Sequence, residues 1–492
     1  MDTQASSKAN WLHCTHQMLL TKIPLRFISL FILFHAGVNI RSISQSSASH
    51  DSVTAFATLK YKHAGFILKS LIGNNYANEW AQPIKMPLLD ITNEQGGLTI
   101  TKSGGGHQTK GLRFKSGDST EWAIRSVNKS VSQFVPKLFK HTFFERCAEQ
   151  MISASNPYSC LPLAELSKAA GIMNTNPKLV YLPNDTALGK YREEFADDLY
   201  FFEQRHPLLP NTSAENMEEL LEQLQRESRR IVLQRPMLKA RLLDMLTGDW
   251  DRHQGQWRWG KFDSIGMTWY YPIPVDRDQS FFRAKGMLVK LVSSLAIPFL
   301  KGFKPSGSGL YQLNKTARNL DRTFLNELSV ADWKQLIEEI QIQLSDSVIA
   351  LAMNKFPAEI AESSKDKIGS RFRNRRDGLL PAALKYYKQL AKNAYVFGSE
   401  KIEFFEVKNI NNDVQVTVYA NIPDKDSAIL YQRVFTPNET RQIYLVSVRG
   451  DDKLVLPAAK TKIRIRVIKP VNDEKYDLRK KMLKRLRDKG QA

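Results

Sequence analysis

Between Gly97 and Lys129 apolar and polar residues alternate in three short runs: Leu98-Thr99-Ile100-Thr101-Lys102, Leu112-Arg113-Phe114-Lys115 and Trp122-Ala123-Ile124-Arg125-Ser126-Val127. A period of two sends alternate side chains to opposite faces of a strand. The separators are Ser103-Gly104-Gly105-Gly106-His107-Gln108 and Gly117-Asp118, so the pattern predicts a three-stranded antiparallel meander with a Gly-rich first turn. Ser52–Ala57 and Lys178–Pro183 read as further strands, while 61–72, 143–155 and 160–170 carry helical spacing. From Gly189 the pattern is mostly helical. Thr212-x-x-Glu215 predicts a capping box opening a charged helix. Pro236 falls where another helix begins, and Leu238, Leu242, Met245 and Leu246 share one face of it. Gln256–Trp259 and Thr268–Tyr271 flank a turn at 263–267 and predict a hairpin; 284–395 is helical again, and short strands return from about residue 397. The expected architecture is α+β, with an N-terminal segment (1–50), an extension (51–90), a small antiparallel β lobe (91–188) and a larger helical lobe (189–396). A small all-β domain (397–470) and a basic tail (471–492) follow.

Composition changes the expected partners more than the fold. A chain of 492 residues exceeds a single hydrophobic core, and its 42% apolar and 25% charged residues are those of a globular protein. The net charge of +21 favours phosphate-bearing partners such as nucleotides, anionic lipid headgroups or glycolipids. At the N-terminus Lys22 and Arg26 precede the apolar run Phe27–Val38, which leads into Ser-rich sequence from Ser42 to Ser49. That is the pattern of a secretory signal, and the run is short of the ~20 residues of a membrane span. Export is therefore expected, with an uncleaved anchor as the alternative. Past this segment only Cys147 and Cys160 remain, which would allow one disulfide. The run Lys365-Asp366-Lys367-Ile368-Gly369-Ser370-Arg371-Phe372-Arg373-Asn374-Arg375-Arg376 reads as a solvated face. As a binding surface it suits membrane headgroups or glycolipid phosphate; nucleic acid is not an expected partner.

The chemistry concentrates after the 236–247 helix. Gly248-Asp249-Trp250-Asp251-Arg252-His253 delivers two acids, an Arg and a His within one turn, and Pro274-Val275-Asp276-Arg277-Asp278-Gln279 brings a second acidic loop across the hairpin. Phosphoryl transfer is mainly positioning and charge neutralisation. A Gly-rich turn can cradle phosphates, a strand cation can pair them, one carboxylate can hold a divalent ion and another can orient the acceptor hydroxyl. The chain carries these parts in the order in which a kinase carries them.

Gly248-Asp249-Trp250-Asp251-Arg252-His253 resembles the G-x-x-D-R-H catalytic loop of atypical kinases of the secretory pathway, the Golgi casein kinase type, and is similar to that of bacterial relatives such as spore-coat-protein kinases. The resemblance implies a two-lobe atypical-kinase-like fold in which Asp251 is catalytic and Asp276 and Gln256 are metal ligands. It implies nucleotide contacts at Gly104, Gly105, Gly106 and Arg125, with Glu149 as the ion-pair partner of Arg125 and Glu145 and Glu165 as rivals. The implied cofactors are ATP or another nucleotide with Mg²⁺ or Mn²⁺. Arg125 is a departure, because kinases place Lys there; Lys129 follows four residues on. Asp249, Arg252, His253 and Asp278 are expected in support, the two acids pairing with Arg252 or Arg277, and Trp250, Trp257 and Trp259 in packing.

From about residue 60 to 470 the chain also resembles a family of exported proteins of Gram-negative bacteria. The motifs are Gly104–Gly106, Arg125–Val127, Gln150–Ser155, Tyr191–Phe195, Gly248–Trp259 and Phe324–Leu328. Its members often adjoin a metallophosphoesterase domain or an outer-membrane barrel. Two classes of function follow: an exported kinase acting on a protein or cell-envelope acceptor, or a catalytically inactive kinase fold serving as an envelope binding or assembly module. A metal-dependent hydrolase built on Asp249, Asp251 and Asp276 ranks third.

Overall fold

The computed structural model describes residues 48–49, 52–104, 108–131, 135–205, 214–295, 302–307, 309–421, 428–447 and 452–468. All of the expected export segment but Ala48 and Ser49, together with Gly105, Gly106 and the basic tail, lies outside them. Strands β1 (Ala48–Ser49), β2 (Ser52–Ala55) and β3 (Ile84–Pro87) form a small antiparallel sheet, and helix α1 (Phe66–Ile72) lies between β2 and β3. The predicted meander is present as β4 (Leu98–Gly104), β5 (Gly111–Ser116) and β6 (Glu121–Ser126). With β7 (Lys178–Leu182) and β8 (Asp198–Gln204) it makes a five-stranded antiparallel sheet in the order β4-β5-β6-β8-β7. The inward side chains Leu112, Phe114, Ile124, Val180, Tyr200 and Phe202 form that lobe's own core. Helices α2 (Phe143–Ile152) and α3 (Cys160–Ala169) fill the β6–β7 connection.

The helical lobe carries β9 (Ala214–Glu215), α4 (Met217–Arg226), β10 (Arg230–Val232), α5 (Gln234–Thr247), β11 (Trp257–Ser264), β12 (Met267–Pro274) and α6 (Met287–Leu295). It continues with α7 (Arg318–Phe324), α8 (Val330–Gln343), α9 (Asp346–Met353), α10 (Glu362–Asp377) and α11 (Leu379–Ala391). The hairpin β11–β12 turns at Ile265-Gly266, both at positive φ, and is flanked by β9 and β10. The β-domain follows α11 directly. It has a three-stranded parallel sheet of β13 (Asn393–Phe397), β17 (Gln442–Val446) and β19 (Arg464–Ile468). A four-stranded sheet, β16-β15-β14-β18, comprises β14 (Phe404–Ile410), β15 (Asp413–Tyr419), β16 (Ile429–Phe435) and β18 (Lys453–Val455). Both sheets share one core through Val396, Phe405, Val416 and Leu445. The two-lobe order with a small β-domain is the one the sequence predicts.

Four expectations change. The capping box is Asn216/Glu219 rather than Thr212/Glu215: Asn216 Oδ1 accepts the Glu219 N–H at 3.0 Å and Glu219 returns the bond to the Asn216 N–H at 2.7 Å. Glu215 belongs to β9, and Thr212 lies outside the described residues. Helix α5 is buried on nearly every side rather than along one stripe, including Arg241 and Asp244. The run 365–376 is not a solvated face throughout. Arg375 is fully enclosed and donates to Leu246 O at 2.7 Å, Lys304 O at 2.9 Å and the Met245 carbonyl, satisfying the open C-terminal end of α5. Finally, Cys147 and Cys160 are both free thiols. Among the described residues no helix is long and apolar enough to cross a membrane.

Candidate active site

Helix α5 ends at Gly248, whose φ of +71° is left-handed and whose Cα lies so near Phe303 that an added Cβ would meet Phe303 Cα at 3.2 Å. Only glycine satisfies both conditions without strain. The chain then reverses, and the Asp249 carboxylate accepts the Asp251 N–H at 3.1 Å, fixing where Asp251 emerges. Beneath the loop, Arg252 is buried and works as a staple. Its Nε contacts Asp244 at 3.1 Å, NH1 donates to Val275 O at 2.8 Å, NH2 donates to Gln256 O at 3.0 Å, and the guanidinium lies over the Trp257 ring. One side chain therefore joins α5, the 248–256 loop and the 275–279 loop. Val275 N–H to Gln256 O at 3.0 Å and Phe281 N–H to Thr247 O at 2.8 Å complete the union.

Asp244 is the hub of this support. Arg241 NH1 reaches it at 2.7 Å, and Arg277 Nε lies 3.0 Å from its other oxygen as an ionic contact rather than an aligned hydrogen bond. Arg241 also pairs with Asp321, which takes the Tyr386 hydroxyl. Burial works against the Asp244 carboxylate, but Arg252, Arg277 and Arg241 together hold its pKa below the ordinary value. Asp249 and Asp278 were expected to pair with Arg252 or Arg277, and both arginines are taken by Asp244 instead. Asp278 pairs with Lys129, and among the described residues the Asp249 carboxylate meets only the Ser280 hydroxyl at 3.5 Å besides the Asp251 N–H.

The β lobe contributes from across the cleft. Arg125 on β6 bridges two acids, with Nε 3.0 Å from Glu203 and NH1 3.1 Å from Asp276. Glu203 is its diagonal neighbour on β8, so the ion-pair partner comes from the sheet. Glu149 does not serve: it pairs with Lys60 at 2.5 Å, and of its rivals Glu165 pairs with Lys355 at 3.6 Å while Glu145 accepts the His141 N–H. Gly104, Gly111 and Arg125 are register partners across β4, β5 and β6, which sets the mouth of the Gly-rich hairpin beside the Arg125 row. A Cβ at Gly111 would lie 2.9 Å from Ile124 O, so this position needs glycine. Gly111 and Glu203 escaped the sequence reading. A glycine inside a strand pattern was a signal for the first; only strand register could reveal the second.

The two acidic loops carry four carboxylates, and their surroundings separate them. Asp276 has a φ of +57°, a strained value that its short polar side chain tolerates. Its side chain remains 39% exposed at the cleft mouth; crowding by both lobes pushes its pKa up, but Arg125 and Lys129 outweigh that and lower it. Asp278 is shifted up by burial despite Lys129. Asp249 is pushed up to about 7 by burial. Asp251 is pushed up to about 7 as well, by burial first and then by Asp278 and Asp276. Among the described residues the Asp251 carboxylate has neither a hydrogen bond nor an ion pair. His253 accepts the Gly255 N–H on Nδ1 at 3.1 Å, and burial and then Arg252 hold its pKa down, so it is a neutral turn-former. Trp257 and Trp259 are fully buried and stack on each other at 6.2 Å, and Trp250 packs edge-on against Phe282.

Metal holding is tested by the donor set. Among the described residues no three His, Cys, Asp or Glu side chains converge as an all-protein cage. Mg²⁺ in phosphoryl-transfer sites is typically held by one or two carboxylates with phosphate and water oxygens completing the shell. Asp276 and Gln256 meet that requirement. The Gln256 amide nitrogen lies 3.3 Å from Asp276 Oδ2 in one orientation, and turning the amide over lets it donate to Val275 O at 3.1 Å. The turned amide presents its oxygen beside the Asp276 carboxylate, the pairing a cation stabilises.

No protein-family model and no curated protein matches the chain. Solved structures do. The chain is similar to a Helicobacter pylori proinflammatory kinase, CtkA, at 13% identity with a TM-score of 0.33, over 62% of this chain and 99% of that one. It is similar also to the Golgi casein kinase with Mn/ADP bound, at 11% identity with a TM-score of 0.29, over 58% of this chain and 72% of that one. A further structure of the Golgi casein kinase matches at 10% identity with a TM-score of 0.26, over the same shares of the two chains. The three matched structures are kinases, with TM-scores between 0.26 and 0.33.

Proposed function

We propose that the chain is an exported kinase-like phosphotransferase that moves a phosphoryl group from a metal-bound nucleotide to a hydroxyl of a protein or cell-envelope acceptor. The observation that carries this reading is the separation of neighbouring acids. Asp276 is charged and clamped by Arg125, while Asp251 is unpaired with a pKa of about 7. Two titratable groups driven apart in this way suit two roles, a cation holder and a proton acceptor. The bound Mg²⁺ or Mn²⁺ would be held by Asp276 and Gln256, and it supplies neutralisation of phosphate charge. Arg125, kept in place by Glu203, would pair phosphate oxygens, and the hairpin would approach them at Gly104. Asp251 would take the acceptor's proton as its oxygen bonds to the γ-phosphorus and the bond to the bridging β-phosphate oxygen breaks. Arg252 and Asp249 would position Asp251 without touching substrate. Export rests on the sequence of residues 22–49, and kinship with the Gram-negative exported family rests on the motifs quoted above.

The test compares wild type, Asp276→Ala and Asp251→Asn for nucleotide-dependent thermal stabilisation and for transfer of a labelled γ-phosphate with Mg²⁺ or Mn²⁺. Wild type and Asp251→Asn should be stabilised and Asp276→Ala should not. Transfer should fall ~10²- to 10⁴-fold in Asp251→Asn. Absence of stabilisation in the wild type overturns the reading. Stabilisation of wild type with no transfer to any acceptor points instead to an inactive, binding-only fold.

A further inference from the structure

On the side of the β lobe formed by α1, the turn before α2 and the start of α6, the chain leaves large apolar side chains in water. Phe66 is 85% exposed, Leu138 82%, Ile67 65%, Met287 66% and Leu291 56%. Helices α1 and α6 pack on each other through Leu68, Ile72 and Val289, with Phe143, Cys147 and Met151 of α2 beside them, and the turn carrying Leu138 leads directly into α2. Gly286 fixes the seam: its N–H donates to Ile72 O at 3.1 Å, and a Cβ there would strike the Leu71 carbonyl oxygen at 2.0 Å. Phe139 and Phe144 meet at 5.0 Å at the edge of the same surface. Scattered exposed apolar residues need no explanation, but a contiguous set on packed helices does.

The charge around this surface is mostly positive. Lys62, Lys137, Lys140, Arg146, Lys285 and Lys290 are exposed on these segments. The acids of the same segments are engaged, Glu145 by the His141 N–H at 2.6 Å and Glu149 by Lys60 at 2.5 Å. Arg283, ahead of burial, Arg371 and Lys367, pushes the Lys285 ammonium below its usual range, so the cations around Lys285 repel one another. Self-association through a two-fold axis would set these lysines against their own copies. A surface of anionic headgroups over acyl chains matches both features at once.

We propose that this face docks on an anionic lipid-bilayer surface, with Phe66, Ile67, Leu138, Met287 and Leu291 entering the headgroup–acyl boundary and the surrounding lysines meeting headgroup phosphates. The docking surface is separate from the acidic cleft and stands whether or not the cleft transfers phosphate. Because α6 begins nine residues after Asp278, docking would hold the cleft close to the membrane plane, within reach of envelope acceptors.

The experiment is flotation of the full chain with vesicles of phosphatidylcholine plus phosphatidylglycerol, against phosphatidylcholine alone, at physiological salt. The variant Phe66→Ser/Ile67→Ser/Leu138→Ser/Met287→Ser/Leu291→Ser keeps every charge. It should partition at least ~10-fold less to the anionic vesicles, equal to about 1.4 kcal/mol, and its thermal midpoint reports whether it folds. A single Leu138→Trp variant supplies a readout that survives any misfolding of the multiple variant: its emission should shift to the blue on anionic vesicles. Equal partitioning of a folded multiple variant overturns the proposal. So does vesicle binding without a Leu138→Trp shift, which would locate the contact elsewhere on this basic chain. A dimer in gel filtration that the serine variant dissociates would assign the face to a second copy and overturn it as well.

Discussion

Asp249 offers the sharpest quantitative test of how this cleft is built. The residue is 1% exposed, and among the described residues its carboxylate meets no arginine or lysine, only the Asp251 N–H and the Ser280 hydroxyl. Burial moves its pKa from 3.8 to about 7. In the folded state the proton is therefore bound more tightly than in the unfolded chain. The stabilisation from the protonated form is complete below about pH 3.8 and is lost as pH rises through about 7. At 1.36 kcal/mol per pH unit the whole effect is about 4 kcal/mol, as a ceiling because Asp244, Asp278 and Asp251 interact with the same site. Most of it, ~3 kcal/mol, falls between pH 5 and pH 8. Asp249→Asn removes the titration while its side-chain oxygen can still accept the Asp251 N–H and its amide can face Ser280. Urea unfolding at pH 5 and pH 8 should show wild type losing stability with rising pH and the variant losing ~2–3 kcal/mol less over the same interval. Parallel pH profiles for the two proteins would refute the claim that Asp249 is a buried, proton-holding acid.

Other expectations follow from the same geometry. Phosphoryl transfer should rise with pH through about 7, because Asp251 must lose its proton to act as base, and Asp251→Asn should flatten that limb of the kcat/KM profile. Arg375→Ala should cost ~3 kcal/mol in urea unfolding, since three carbonyls near the end of α5 lose a buried charged donor, and Arg375→Lys should recover part of it. Gly248→Ala should cost ~1–2 kcal/mol for the left-handed backbone, and more where Phe303 has to move, whereas Gly248→Asn should be milder. Arg125→Lys cannot reach Glu203 and Asp276 together, so nucleotide-dependent thermal stabilisation should weaken; Glu203→Gln should weaken it through the same guanidinium, and an unchanged Glu203→Gln would detach Glu203 from the site.

Much of this fold was legible in the chain because strand and helix periods are local properties. The alternation at 98–127 specified three strands, and the α5 pattern followed by Gly248 specified a helix stop and a tight exit. The two acidic loops could be read as one site from residue types and order alone, since a hairpin between them must return the chain to its start. What the sequence could not determine was pairing. It assigned Arg125 a helix carboxylate, yet the sheet register gives it Glu203, its diagonal neighbour on the adjacent strand, while Glu149 on α2 pairs with Lys60. It left Arg252 and Arg277 to nearby acids, yet Asp244 on α5 takes both, since a buried carboxylate needs every cation within reach. It put Arg375 in water, and the packing of α10 against α5 buries it on open carbonyls. Local pattern determined which elements form and where the chemistry gathers. Burial and register, which exist only once distant segments meet, decided which charge faces which and, among the described residues, left the Asp251 carboxylate without a hydrogen bond or ion pair.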